Sequence, residues 1–280
     1  MSPVAAETAA ARWAEALAAW AVPQHILDAA PEGPWRFPPA VFAWTRERAA
    51  AERAQVTASR RRALEALPEG GTVLDVGAGG GRASLPLAPP AGLVVTVDPS
   101  VELLAAFADA ADREGIDHRS VQGQWPDTAG QVEACDVVVC HHVVYNVPDL
   151  VPFAQALTDH ADRRVVVELT AEHPAMNLND AWQQLHGLHR PTTPTADDAV
   201  AVLEEMGLHV HAERSERVNQ AGPDRAEVLA FARRRLCVGP EREAEIDALL
   251  GPEFESPLRR VVTLWWDGQA SQKATPATSR

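Results

Sequence analysis

The sequence predicts an α/β protein with a doubly wound, mostly parallel seven-stranded sheet and an N-terminal helical extension. Three observations carry this. Short apolar runs, among them Val73–Val76, Leu93–Val97 and Asp136–Cys140, alternate with segments of helical period. That alternation builds parallel sheets covered by helices on both faces. The first run passes into a loop holding Gly77, Gly79, Gly80 and Gly81, and glycine there lets backbone approach a ligand closely. This loop, Asp98, Gln124, His141 and Glu168 all fall at the predicted carboxyl ends of strands, the edge where open α/β sheets bind ligands.

Each element follows from local pattern. Residues 5–20 are alanine-rich with Trp13, Leu17 and Trp20 at helical spacing, and Pro23 ends that helix. A short turn of helix at Gln24–Ala29 leads into the proline-rich segment Pro31–Pro39, which carries Trp35 and Phe37. Helical periodicity resumes from Pro39 to Leu67, with Val41, Phe42, Trp44 and Ala49. After the first strand, the small residues of Arg82–Ala88 permit a helix start. Leu93–Val97 is the second strand, and Pro99 with Ser100 as N-cap opens a helix through Asp112. His118–Gln122 and Asp136–Cys140 are the third and fourth strands, with a helix over Leu150–Asp159. Arg164–Leu169 is the fifth strand, followed by an insertion with a helix over Asn177–His186 that carries Trp182. Thr195–Met206 is amphipathic, with acids in its first turn. Leu208–Val218 is the sixth strand, two helices cover about 225–236 and 240–250, and Arg259–Trp266 is the last strand. The organisation expected is an extension or lid over 1–54, a main domain over 55–268 with a helical insertion at 175–194, and a disordered tail over 269–280.

Composition narrows the function classes. The 280 residues suit one large domain plus an extension. Lys+Arg of 25 against Asp+Glu of 39 leaves a formal charge of −14, which repels phosphate backbones and speaks against a nucleic-acid partner. The runs Arg60–Arg62 and Arg233–Arg235 read as solvated helix faces. Cys135, Cys140 and Cys237 lack metal-ligand spacing, and no metal is expected from Glu168, Glu172 and His173 beside His141. With no leader pattern and no apolar stretch of membrane-spanning length, a cytoplasmic protein without a membrane partner is expected.

The glycine loop itself separates two cofactor types. A dinucleotide pattern G-x-G-x-x-G would place its third glycine where Arg82 stands. The spacing present is D-x-G-x-G-x-G, with Asp75, Gly77, Gly79 and Gly81, and Asp98 closes the next strand. Over roughly residues 55–268 the sequence resembles the class I S-adenosylmethionine-dependent methyltransferases. The resemblance implies their Rossmann-like fold, with the last strand antiparallel beside the sixth, and S-adenosyl-L-methionine as cofactor. It implies that Asp75 orients the methionine ammonium, that Gly77, Ala78 and Gly79 line the cofactor, and that Asp98, followed by Pro99, takes the ribose. Gln124 and Trp125 would then border the adenine, and His141 would contribute backbone contacts.

The acceptor implied is a small molecule. His141 is a candidate general base because imidazole titrates near neutrality, and Tyr145 beside Asn146 offers groups to position an acceptor. Water must be excluded from such a site. The aromatic residues Trp13, Trp20, Trp35, Phe37 and Trp44 of the extension and Trp182 of the insertion are therefore expected to meet above the glycine loop. A nicotinamide-dependent oxidoreductase and a non-catalytic cofactor-binding or interaction module remain the alternatives at this point.

Overall fold

The computed structural model describes residues 7–34, 49–50, 53–218, 225–250 and 258–269. Seven strands, β1 (Thr72–Val76), β2 (Leu93–Asp98), β3 (His118–Gln122), β4 (Cys135–His141), β5 (Ala161–Thr170), β6 (His211–Val218) and β7 (Leu258–Asp267), form one sheet. Their spatial order is β3-β2-β1-β4-β5-β7-β6. The first five run parallel, and β7 lies antiparallel between β5 and β6. Chain order therefore reverses between β1 and β4, the position at which open α/β sheets place their ligands.

Alternation along the central strands sorts side chains onto two faces. Val73, Val137, Val139 and Val166 pack with Ala63, Leu67 and Leu87 on one side. Leu74, Val76, Val138, Cys140, Val165 and Val167 face the other, against Phe153, Leu157, Val202 and Leu203. The helices involved are α1 (Ala9–Ala18), α2 (Gln24–Ala29), α3 (Ala58–Ala66), α4 (Val101–Glu114), α5 (Leu150–Asp159), α6 (Asn179–His186), α7 (Ala196–Glu205), α8 (Arg225–Arg235) and α9 (Glu243–Leu249). Their ends carry the expected chemistry: Ser100 Oγ accepts the Leu103 N–H at 3.2 Å, and Thr195 with Asp198 makes a capping box.

One local expectation differs. Arg82–Ala88 forms turns and a short 3₁₀ segment, Leu85–Leu87, in place of an α-helix. Pro86 has no N–H to continue a helix begun at Arg82, and Pro89 and Pro90 follow at once. The arginine runs are held within the protein's own surface. Arg62 bonds Glu213 at 2.9 Å with its guanidinium 4.3 Å from the Trp265 ring, and Arg233 pairs with Glu32 at 3.1 Å.

The extension and the insertion meet. Trp13 is buried against the sheet's helical face and its indole N–H donates to the Val147 carbonyl at 2.8 Å, docking α1 on the loop that follows β4. Val22 and Ile26 share one apolar cluster with Leu178, Ala181 and Trp182 of the insertion and with Val228, Leu229 and Leu236. Trp35, Phe37 and Trp44, and residues 270–280 of the expected tail, lie outside the described residues. Among the described residues no helix is long and apolar enough to cross a membrane.

Because Trp13 combines full burial with a specific hydrogen bond, Trp13→Ala is expected to lower unfolding free energy by about 3–5 kcal/mol. Trp13→Phe, which keeps most of the packing, should cost about 1 kcal/mol. Urea unfolding of the two variants measures both, and equal losses would mean that the hydrogen bond dominates.

Candidate active site

The site forms where strand order reverses. Beyond β1 the chain turns through Gly77 at φ +71°, and a Cβ there would sit 2.4 Å from Val143 Cγ2 in the loop after β4. Only glycine allows the two loops to close on each other in this way. Asp98, at the end of β2, orders the turn: its Oδ2 accepts the Gly79 N–H at 2.9 Å and its Oδ1 the Ser100 N–H at 2.9 Å. A carboxylate has about four lone-pair sites, so each oxygen keeps one for a hydroxyl donor.

Beneath the loop, Asp75 is 1% exposed. Ser84 Oγ donates to its Oδ2 at 2.6 Å, while Oδ1 is buried with no hydrogen-bond partner. Burial pushes this carboxyl up to about 7, the Asp98 charge adds to the rise, and the Ser84 bonds offset part of it. A raised native pKa favours the fold most at acid pH, and that contribution fades as pH climbs from about 4 through 7. An unpaired carboxylate oxygen under a glycine turn is complementary to an ammonium group. Together with the free acceptor sites of Asp98, it fits the amino-acid and ribose ends of S-adenosylmethionine.

The β3 end contributes differently. Trp125 is 9% exposed, donates its indole N–H to the Phe153 carbonyl at 3.4 Å and meets the His160 ring edge-on at 4.9 Å. It closes the core beneath the strand end, while Gln124 is exposed. Gly123, just before them, donates its N–H to the Asp98 carbonyl at 3.1 Å, which holds this loop next to the end of β2. Ala78 is buried, its N–H 3.2 Å from the Val97 carbonyl, and Pro99 lies directly beyond Asp98.

Beyond the ends of β4 and β5 lies a hydrogen-bonded chain. The Tyr145 hydroxyl oxygen accepts the Thr170 N–H at 2.6 Å and lies 3.0 Å from His142 Nδ1. The phenol hydrogen is therefore available for Nδ1, which puts the imidazole hydrogen on Nε2, 3.3 Å from Glu168 Oε1. Glu168 is 1% exposed and also accepts from Ser59 Oγ at 2.6 Å and from Arg217 at 2.7 Å. Burial opposes its charge, yet the His142 bond and the nearby cations outweigh it and hold the carboxyl well below its usual range. Burial pushes the Tyr145 phenol up to about 12. His142 itself holds a left-handed φ of +59°, uncommon for a side chain other than glycine.

His141 faces a different environment. Its Nε2 is buried without a partner, and burial, with the His142, Arg217 and Arg82 charges, pushes it down to about 4. It is a neutral imidazole at physiological pH. The structure thus sets Asp75, Gly77, Ala78, Gly79, Asp98 and His141 at or just beyond the ends of the neighbouring strands β1, β2 and β4, and joins Tyr145 to His142. Ser59, Arg217 and the joining role of His142 carried no sequence signal, since Ser59 and Arg217 lie 109 and 49 residues from Glu168.

Residues 73–163 match the family model for a methyltransferase domain. No curated protein matches the chain. Among solved structures, the chain resembles a cyclopropane-fatty-acyl-phospholipid synthase-like protein from Lactobacillus casei, at TM-score 0.54 and 16% identity over 87% of this chain and 98% of that one. It also resembles a candidate sarcosine dimethylglycine methyltransferase from Galdieria sulphuraria, at TM-score 0.53 and 15% identity over 87% and 96% of the two chains. The YcgJ protein of Bacillus subtilis aligns at TM-score 0.51 and 14% identity over 75% and 98%. At these identities the likeness concerns the fold.

Gly77→Ala should destabilise the protein by about 1–3 kcal/mol, because the new methyl meets Val143 and the backbone needs positive φ. Thermal unfolding measures the loss. A neutral substitution would mean that the two loops are free to separate.

Proposed function

We infer that this chain, a class I S-adenosylmethionine-dependent methyltransferase, methylates a small molecule at a group that gives up a proton. The observation that carries this reading is the chain Tyr145–His142–Glu168 at the same strand edge as the glycine turn. The net charge of −14 favours a small-molecule acceptor over nucleic acid, and a cytoplasmic setting accords with it. On this reading residues 1–54 and 175–194 form the cover and 55–268 the catalytic domain.

The cofactor supplies an activated methyl group whose departure leaves a neutral thioether. Asp75 would pair with its ammonium, Asp98 would take the ribose hydroxyls, and the glycine turn would let the chain pass close to it. Trp125 walls the adenine side from below, with Gln124 at the rim. His141, neutral and unpaired at Nε2, lines the crevice between cofactor and acceptor. Thr170 Oγ1 lies 3.2 Å from the Tyr145 oxygen, and with its one hydrogen given to the Glu172 carbonyl, the acceptor's X–H would donate to the remaining lone pair of the Tyr145 oxygen. As the X–CH₃ bond forms, that proton moves to Tyr145 and the phenol proton moves to His142 Nδ1. The imidazolium is then held by the Glu168 carboxylate, so no free phenolate with its high pKa is required.

Asp98→Ala should weaken S-adenosylhomocysteine binding by at least about 1.5 kcal/mol, the scale of hydrogen bonds to a charged group. Calorimetry should also show linked protons. Since Asp75 is largely protonated at about pH 6 and its partner ammonium favours the anion, binding should release up to about one proton there and close to none at about pH 8.5. Absent binding by the wild type would defeat the cofactor assignment.

Transfer itself is testable with radiolabelled cofactor and a metabolite extract. Tyr145→Phe should cut turnover by about 10²-fold or more while leaving S-adenosylhomocysteine affinity unchanged. Unimpaired transfer by that variant would remove the phenol from the proton's path.

A further inference from the structure

A second set of polar groups lies beyond Tyr145, where the cover meets the sheet edge. The His173 ring stacks on Trp20 at 4.0 Å and meets Tyr145 edge-on at 6.0 Å. The Arg190 guanidinium lies 5.3 Å from the Trp20 ring and 5.0 Å from the Trp182 ring. Stacked in this way, a guanidinium keeps its edge N–H groups for planar oxyanions. Extension, insertion and the segment after β5 thus converge on one cation.

The donors at this point exceed the acceptors. Arg190 gives one terminal nitrogen to the Ala21 carbonyl at 3.0 Å and the other to the Trp20 carbonyl, and its Nε is buried with no partner. No carboxylate among the described residues pairs with it. A guanidinium has five N–H donors, so the carbonyl bonds leave hydrogens unused. His173 Nδ1 accepts the Ala175 N–H at 3.3 Å, which places the ring hydrogen on Nε2 as a further donor. Burial, and then the charges of Arg190 and Arg235, push His173 down to about 4, so it stays neutral beside two guanidinium groups. In a chain of net charge −14, a guanidinium set between two indoles with no carboxylate partner among the described residues is a place where an anion is favoured.

We propose that Arg190, framed by Trp20 and Trp182 and assisted by His173, seats an oxyanion, a carboxylate or a phosphate, carried by the methyl acceptor. The proposal rests on the methyltransferase reading for the identity of the ligand as acceptor, and the seat itself is a separate physical claim. His173 touches Tyr145, so an acceptor anchored here by its anionic end extends towards the proton route. The seat selects among acceptors by charge, and the cover that brings Trp20 and Trp182 together builds it.

Saturation-transfer NMR on the full chain, with and without S-adenosylhomocysteine, tests this with phenylacetate, phenyl phosphate and phenylacetamide as probes. One or both anions should show saturation at least about threefold above the neutral amide, in line with a charge-assisted hydrogen bond. Preference for phenylacetate alone identifies a carboxylate acceptor, and preference for phenyl phosphate alone a phosphorylated one. Arg190→Gln should bring both anions to the level of the amide. His173→Phe, which keeps a ring against Trp20 and the Arg190 ties to the extension, should lower them at least about twofold. Equal saturation of all three probes by the wild type overturns the seat. So do anion signals that persist in both variants. Calorimetry with S-adenosylhomocysteine on the same samples reports the cofactor assignment separately. A variant that binds it normally is folded, and a wild type that does not bind it defeats the methyltransferase reading and leaves the anion comparison to stand by itself.

Discussion

One buried carboxylate ties four parts of this protein together at the strand edge. Glu168 brings α3, β5, β6 and the loop after β4 to a single point through Ser59, Arg217 and His142. Taking a carboxylate out of water costs several kcal/mol unless its lone pairs are met. Here three donors from distant parts of the chain meet them, so the elements that supply those donors are bound to one arrangement. His142 accepts an unfavourable left-handed backbone as part of that arrangement, and its imidazole is thereby turned towards Tyr145. Strain in the loop and order in the network are two sides of the same packing.

The cofactor side depends on a second carboxylate with two duties. Asp98 uses one lone pair of each oxygen to fasten the glycine turn and the start of α4, which leaves the others directed outwards. The turn is thus organised before any ligand arrives. Asp75 lies beneath it in the opposite condition, buried and half satisfied, with a pKa near neutrality. A group in that state is costly for the fold and useful for a cation, which is the usual physical signature of a binding residue.

Around these two centres, segments that have little independent reason to associate pack against one another. α1 is pinned through Trp13 to the Val147 carbonyl, and Val22 and Ile26 join the cluster of the insertion and α8. The same contacts that bury apolar surface bring Arg190 between two tryptophans. The burial of apolar surface and the placing of Arg190 therefore arise from one packing event.

Much of this was legible in the chain itself. Apolar runs alternating with helical segments specified the sheet, and the spacing of Asp75, Gly77, Gly79, Gly81 and Asp98 specified where the ligand edge lies, because both are local patterns with a short physical reach. Local pattern also misled at Arg82–Ala88, where small residues favoured a helix and Pro86 decided otherwise. Trp125 was readable as an aromatic beside the adenine site, but its depth in the core depended on Phe153 and His160. Which of two adjacent histidines would join Tyr145 was not legible, since a backbone turn at His142 decides it. Neither was the partnership of Ser59, Arg217 and Glu168, or that of Trp20, His173 and Arg190. Hydrogen bonds between residues a hundred positions apart leave no trace in spacing, and only the folded chain brings their donors to one acceptor.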